Sequence, residues 1–159
     1  MPASAQNPLP QLLAGELALL REFAVLLASE QEALVRGELD RLMPLAEEKS
    51  RQASLLAQAA EQRNQVLAAL GLAKDRVGME AWLATDRSAA KAASDWQALL
   101  ALAAEARTQN DLNGKLIQTR LQQNQRALEA LGAANNQTQL YGPDGQVRSP
   151  SGGRNFGSY

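Results

Sequence analysis

The chain has 159 residues, of which 45% are apolar and only 4% aromatic. This length predicts one domain with a modest core, and the abundance of Ala and Leu, both strong helix formers, favours packed helices over a sheet. With 16 basic and 17 acidic residues the formal net charge is −1, so the chain lacks the basic excess that nucleic-acid-binding proteins use to contact phosphates.

Cysteine and histidine are both absent from the sequence. Their absence excludes thiolate and imidazole metal ligands, disulfides, and nucleophile pairs that use histidine as a base. Glu47 and Glu48 are adjacent, and because neighbouring residues of a helix point about 100° apart, we interpret them as part of a solvated face. With no phosphate-binding loop and no metal constellation either, we expect a protein that is not an enzyme and holds no metal or cofactor.

The N-terminal residues do not carry a positively charged stretch ahead of an apolar one, as a secretory signal would. The most apolar stretch, residues 12–28, is interrupted by Glu16, Arg21 and Glu22. It is too short and too charged to span a bilayer. The lack of cysteine fits the cytosol. We therefore expect a soluble cytoplasmic protein without membrane insertion.

Two long helices are predicted in the first half of the chain. Prolines near the start suit the opening turn of a first helix, over about 9–36. Its apolar face is wider than a two-stranded seam requires, which indicates at least two packing partners. Gly37 breaks the pattern, and a second helix over about 39–71 ends at Gly71, a residue type favoured just after a helix. The short turn between them predicts an antiparallel hairpin.

The pattern weakens after the second helix and then resumes. A short connecting helix anchored by Trp82 is predicted over about 79–84, and a third long helix over about 89–132. Gly114 interrupts this long helix at a cost of about 1 kcal/mol relative to Ala. Either it lets another backbone approach closely, or it is a tolerated surface glycine.

The composition becomes polar and rich in Ser and Gly near the C-terminus. Such a segment has too little apolar surface to fold alone. We therefore predict a helical domain over 1–133 and a flexible polar tail over 134–159. The predicted fold class is all-α: an elongated antiparallel helical bundle or coiled coil of three main helices, with a short connecting helix and the tail.

Two basic residues of the second helix, Lys49 and Arg63, occupy positions on its apolar stripe. A binding role is one interpretation of such residues. The better one is that their aliphatic stems cover apolar surface while their charges reach water. We therefore expect both charged groups to be solvated.

Three asparagines share one stripe of the third long helix with apolar residues in steps of three and four: Asn110, Asn113 and Asn124. Asparagine is a mediocre helix former, and its amide costs free energy when it is buried without partners. One asparagine in a helical seam commonly fixes register, and three exceed that need. Two interpretations stay open: the stripe sets register inside the bundle, or it forms a partly polar groove for a partner helix.

Several of these marks, in their order and separation, resemble the family of FlgN-type flagellar export chaperones. The most specific are Asn110-Asp111-Leu112-Asn113-Gly114-Lys115-Leu116-Ile117 and the tail's Leu140-Tyr141-Gly142-Pro143-Asp144-Gly145-Gln146. Weaker marks are Gly37-Glu38-Leu39-Asp40, Glu48-Lys49, Arg63, Gly71, Trp96, Asn124 and Leu128. The resemblance spans the helical body and reaches into the tail.

The resemblance implies a non-enzymatic cytosolic chaperone of flagellar type III export. Such chaperones bind the C-terminal amphipathic helices of hook–filament junction (hook-associated) proteins of the FlgK/FlgL type, prevent their premature assembly, and deliver them to the export gate or its ATPase complex. Carried onto this sequence, the client-binding residues would be Asn110, Asn113, Ile117, Leu121, Asn124 and Leu128. Tyr141 is a candidate tail anchor, which contacts a client or the gate, or docks on its own bundle.

The alternative of a different class is a self-associating structural or sensor-type helical bundle. In that case the wide apolar face of the first helix is the interface of a homodimer. A dimeric bundle should keep its mass when it is mixed with junction-protein termini. A chaperone should form a defined complex with a C-terminal junction-protein peptide.

Overall fold

A computed structural model of the chain describes residues 6–86 and 89–140, the last five of these by their backbone alone. Four helices occupy the described residues: α1 Leu9–Arg36, α2 Leu39–Ala69, α3 Arg76–Thr85 and α4 Ala90–Leu140. The described chain contains no strand, and the predicted all-α class is confirmed. Within these ranges, no helix is long and apolar enough to cross a membrane.

Helices α1 and α2 form the predicted hairpin around a left-handed glycine. Gly37 has a φ of 69°, a conformation that glycine adopts without steric strain because it has no Cβ. The next N–H, that of Glu38, donates to the carbonyl oxygen of Ala33 at 2.9 Å. Helix α2 then runs back along α1, so that residues late in one helix meet residues early in the other.

The core is built mainly on the leucine face of α1. Its buried residues there are Leu9, Leu13, Leu17, Leu20 and Leu27. The other helices add Leu67 from α2, Met79 and Trp82 from α3, and Ala92, Trp96, Leu99 and Ala106 from α4. Each fully buried leucine contributes roughly 1.5–3 kcal/mol to folding. Residues of α2, α3 and α4 therefore share one core cluster with α1, which explains why the apolar face of α1 is wider than a two-stranded seam.

The connecting helix α3 begins at a tight capped turn. The carboxylate of Asp75 accepts a hydrogen bond from the N–H of Gly78 at 3.1 Å, satisfying one of the free donors of a helix N-terminus. A Cβ on Gly78 would lie 1.8 Å from the carbonyl oxygen of Ala73, so only glycine fits there. Trp82 is buried in the core cluster, and the prediction of a short helix anchored by this tryptophan is confirmed.

The chain divides into two compact units, of which the first ends at Leu116 and the second begins at Ile117. The core cluster lies entirely in the first unit. In the second unit α4 continues to Leu140, so the helix end predicted at residue 132 is wrong. The Asn- and Gln-rich run there reads as a loop by composition, but these residues disfavour a helix only mildly when they extend an existing one. The rest of the predicted tail, residues 141–159, lies outside the described residues.

Candidate functional site

The structure separates the three asparagines of the α4 stripe. Asn113 is only 1% exposed, so its amide must find partners inside the protein. Asn110 and Asn124 lie on the helix surface and are exposed. The three asparagines therefore differ in environment. The register interpretation applies only to the buried position, and the groove interpretation applies only to the exposed ones.

The buried amide of Asn113 is satisfied by the first unit. Its Nδ2 donates to the carbonyl oxygen of Leu27 and to Oε1 of Glu30, both at 2.9 Å. Its Oδ1 accepts from Nε2 of Gln109 at 2.8 Å. The Nζ of Lys49 on α2 donates to the same Glu30 oxygen at 3.1 Å. One buried carboxylate thus joins α1, α2 and α4, as the register interpretation of Asn113 predicts.

A second polar junction ties α1 to α2 near Trp96. Nη1 of Arg63 lies 2.6 Å from each carboxylate oxygen of Glu16, and the guanidinium carbon is 5.3 Å from the centre of the Trp96 ring, within the range of a cation–π interaction. Burial raises the pKa of Glu16, and the positive charge and hydrogen bond of Arg63 oppose that rise. The pair is thus held together inside a largely apolar setting.

The expectation that Arg63 would extend its charge into water is wrong, whereas the Lys49 side chain keeps 24% of its surface exposed. The side chain of Arg63 is 12% exposed and that of its partner Glu16 is 8% exposed. Lys49 pairs with the buried Glu30. Sequence periodicity places each basic residue on the stripe, but it does not show that the acidic partner stands opposite on another helix.

The part of α4 in the second unit carries a row of exposed aliphatic residues. Ile117, Leu121, Leu128 and Leu131 are 37%, 63%, 69% and 63% exposed. Their spacing places them, together with Asn124, along one side of the helix. We call these five residues the distal stripe. Single exposed aliphatic residues are ordinary, but a continuous exposed row of them makes the distal stripe a candidate interaction surface.

The remaining candidates of the sequence analysis are Glu48, Gly114 and Tyr141. Glu48 is paired with Arg51 on the surface of α2, and hydrogen bonds from Arg51 and Gln52 lower its pKa. No group of three or more metal-ligating side chains occurs among the described residues. A Cβ on Gly114 would meet nothing within 4 Å, which favours a tolerated surface glycine. Tyr141 lies outside the described residues.

Replacing Asn113 with alanine should lower the free energy of unfolding by about 1–3 kcal/mol, because Glu30 loses a buried donor. Asn110→Ala is the matched control, since it changes the same residue type one turn away on the exposed surface. It should change the stability by less than about 0.5 kcal/mol. Urea denaturation measures both. Equal losses in the two variants would contradict the register role of Asn113.

Glu16 should make stability depend on pH. Because its pKa is raised in the folded state, the folded protein binds this proton more readily than the unfolded chain does. The resulting stabilisation is full below the unfolded pKa and is lost as the pH rises through the folded pKa. We expect the unfolding free energy of the wild type minus that of Glu16→Gln to grow as the pH falls from about 7 to about 4. Urea titrations measure this difference. If it shrinks as the pH falls, the charge and hydrogen bond of Arg63 outweigh burial in setting the pKa of Glu16.

Known proteins resemble this chain over most of its length. The family model described as FlgN protein matches residues 1–149. A flagella synthesis protein FlgN from Yersinia enterocolitica is 31% identical over 143 residues, covering 87% of this chain and 88% of the relative. The protein of the same description from Yersinia enterocolitica serotype O:8 / biotype 1B (strain NCTC 13174 / 8081) is 31% identical over 140 residues, 86% of each chain. No solved structure gives a significant match. The chain belongs to the FlgN family.

Proposed function

We propose that this protein is a cytosolic, substrate-specific chaperone of flagellar type III export. It binds the C-terminal amphipathic helices of hook–filament junction proteins of the FlgK/FlgL type, prevents their premature assembly, and delivers them to the export gate or its ATPase complex. The FlgN family is a chaperone-type, non-enzymatic family, and membership in it supports a flagellar chaperone role with flagellar proteins as partners.

The distal stripe is the observation that supports this proposal. Its four aliphatic side chains are 37–69% exposed and lie on one side of a helix. An amphipathic client helix needs temporary cover for its own apolar face, and two such helices can pack side by side. Burying each leucine contributes roughly 1.5–3 kcal/mol, so a few of them give useful affinity without a permanent complex.

The polar positions of the stripe suit a complex that must come apart. Asn124 lies among the leucines, and burying its amide costs free energy unless the client supplies a hydrogen-bond partner. The apolar contact then comes from Ile117, Leu121 and Leu128. Polar contacts that favour a matching client come from Asn124 and from Asn110, which precedes the distal stripe on α4. Asn113 serves the same function indirectly, because its amide is already used to hold α4 against α1.

The tail completes the proposal. Tyr141, which lies outside the described residues, is the proposed anchor of a contact with the client or with the export gate. One tyrosine side chain buries only about 150–250 Å² on binding, so it gives a contact of modest affinity. Such a contact suits a delivery step in which the chaperone must let go.

The test is binding of junction proteins, intact and without their last ~40 residues, a length that removes a helix of ~60 Å. The intact proteins should bind and the truncated ones should not. Leu121→Ala with Leu128→Ala should weaken binding about 10- to 100-fold, since each truncation at a helix interface costs on the order of 1 kcal/mol or more. Isothermal titration calorimetry measures the affinity, and circular dichroism checks the helix content.

Met43→Ala is the matched control for the leucine variants. Met43 is 69% exposed, as is Leu128, and it lies on α2 rather than α4. It should leave the affinity unchanged. Binding that survives the truncation, or that falls equally in the control, would overturn the proposed mode. A self-associating bundle would instead show a dimer mass in sedimentation that does not change when junction-protein termini are added.

A further inference from the structure

The distal stripe leaves apolar surface exposed on a helix that is followed directly by a further length of the same chain. Leu121, Leu128 and Leu131 are 63%, 69% and 63% exposed, and α4 continues beyond them to Leu140. Residues 141–159 come next in the sequence. The stripe and these residues are therefore joined by the last turns of one helix, with no other element between them.

Residues 141–159 hold most of the phenylalanine and tyrosine of the chain. The whole sequence has two of each, and three of these four, Tyr141, Phe156 and Tyr159, lie beyond α4. Such rings bury about 150–250 Å² each and dominate the energetics of many interfaces. The segment after α4 thus carries side chains that match an exposed row of leucines.

The residues directly after α4 favour a reversal of the chain. Gly142-Pro143-Asp144-Gly145 combines the residue types that dominate turns, because glycine adopts positive φ angles without strain and proline fixes its own φ near about −65°. A reversal at this point directs the following residues back along α4, towards the distal stripe.

The chain after this turn is long enough to reach the stripe. Phe156 follows Gly145 by 11 residues, which span up to ~36 Å when extended. At a rise of about 1.5 Å per residue, Leu128 and Leu121 lie ~18 Å and ~29 Å back along α4 from Leu140. The ring of Phe156 can therefore reach both leucines. A tether of this length holds it near them at an effective concentration on the order of mM, so that even a weak contact forms.

We propose that the rings of Phe156 and Tyr159 cover Leu121 and Leu128 of the distal stripe while no client is bound. Both rings lie beyond residue 149, where the match to the FlgN family model ends, so this cover is an addition to what family membership supports. A client helix takes the place of the rings. This competition rests on the proposed function, whereas the cover itself does not.

The cover is partial, and it lowers the affinity for a client. Only the open fraction of the molecules binds, so a stripe that is covered in about three molecules of four loses about fourfold in apparent affinity. The open state stays well populated. Amides near Leu121 and Leu128 therefore still exchange faster than amides in the core.

Paramagnetic NMR tests the cover without any client. The chain has no cysteine, so Ser158→Cys places a single nitroxide spin label next to both rings. The label should broaden the amide signals near Leu121 and Leu128. A double variant, Phe156→Ser with Tyr159→Ser, should remove this broadening. The proposal is overturned if broadening is confined to the end of α4, if it falls on the first unit instead, or if the double variant leaves it unchanged.

A mixture of two proteins separates a contact within one chain from a contact between copies. In it, protein enriched in ¹⁵N carries no spin label, and protein of natural isotope content carries the label at Ser158→Cys. The signals near Leu121 and Leu128 should stay sharp in this mixture. Broadening there would show that the rings of a second copy occupy the stripe, and it would overturn the proposal.

Isothermal titration calorimetry with an intact junction protein tests the competition. The double variant should bind about three- to tenfold more tightly than the wild type, because its stripe is always open. The matched control is Val147→Ser. Val147 lies two residues beyond Gly145, a reach of ~7 Å, whereas Leu131, the last residue of the stripe, is ~14 Å from the end of α4.

The control should therefore leave the affinity unchanged. Equal affinity of the double variant and the wild type, or an equal gain in the control, would overturn the competition. If neither the wild type nor the double variant binds a junction protein, the proposed function fails, and the spin-label measurement still decides whether the rings cover the stripe.

Discussion

The buried carboxylate of Glu30 holds the three long helices of the first unit in one arrangement. It accepts hydrogen bonds from Lys49 of α2 and from Asn113 of α4. Burying a charge costs free energy unless it is paired and hydrogen-bonded, and here both conditions are met. Seams made of Leu and Ala permit more than one register with similar packing, and a buried polar contact of this kind selects one of them. The position of α4 against α1 depends on this junction.

Helix α4 therefore has two parts along its length, one packed in the core and one uncovered in the described structure. Its first turns contribute Trp96, Leu99 and Ala106 to the core. Its later turns leave Leu121 and Leu128 uncovered in the described structure. Helix α4 can present this exposed row because it continues beyond the core residues. The Leu-, Ala- and Gln-rich sequence supports such a long helix, since these residue types have high helix propensity. The proposed chaperone activity uses this uncovered part, while the polar junction keeps the other part in place.

Local sequence patterns were sufficient to predict the helices but not their contacts. Leucine periodicity and Gly37 define α1 and α2, because these signals depend on residues close in sequence. Asn113 and Asn124 show the same periodicity, yet only Asn113 is buried. Their difference in burial depends on whether another helix covers that turn of α4, and the periodicity of one helix does not carry this information. The Glu16–Arg63 pair was missed for the same reason, since its members are 47 positions apart.

Hydrogen exchange of the α4 amides tests the two-part use of this helix most directly. It should be measured for the free protein and again with an intact junction protein. In the free protein, amides near Leu99 and Asn113 should exchange slowly, because packing must open before they exchange, and amides near Leu121 and Leu128 should exchange quickly. The client should slow exchange at Leu121 and Leu128. Uniformly slow exchange along α4 in the free protein, or no change near Leu121 and Leu128 when the client is added, would contradict this account.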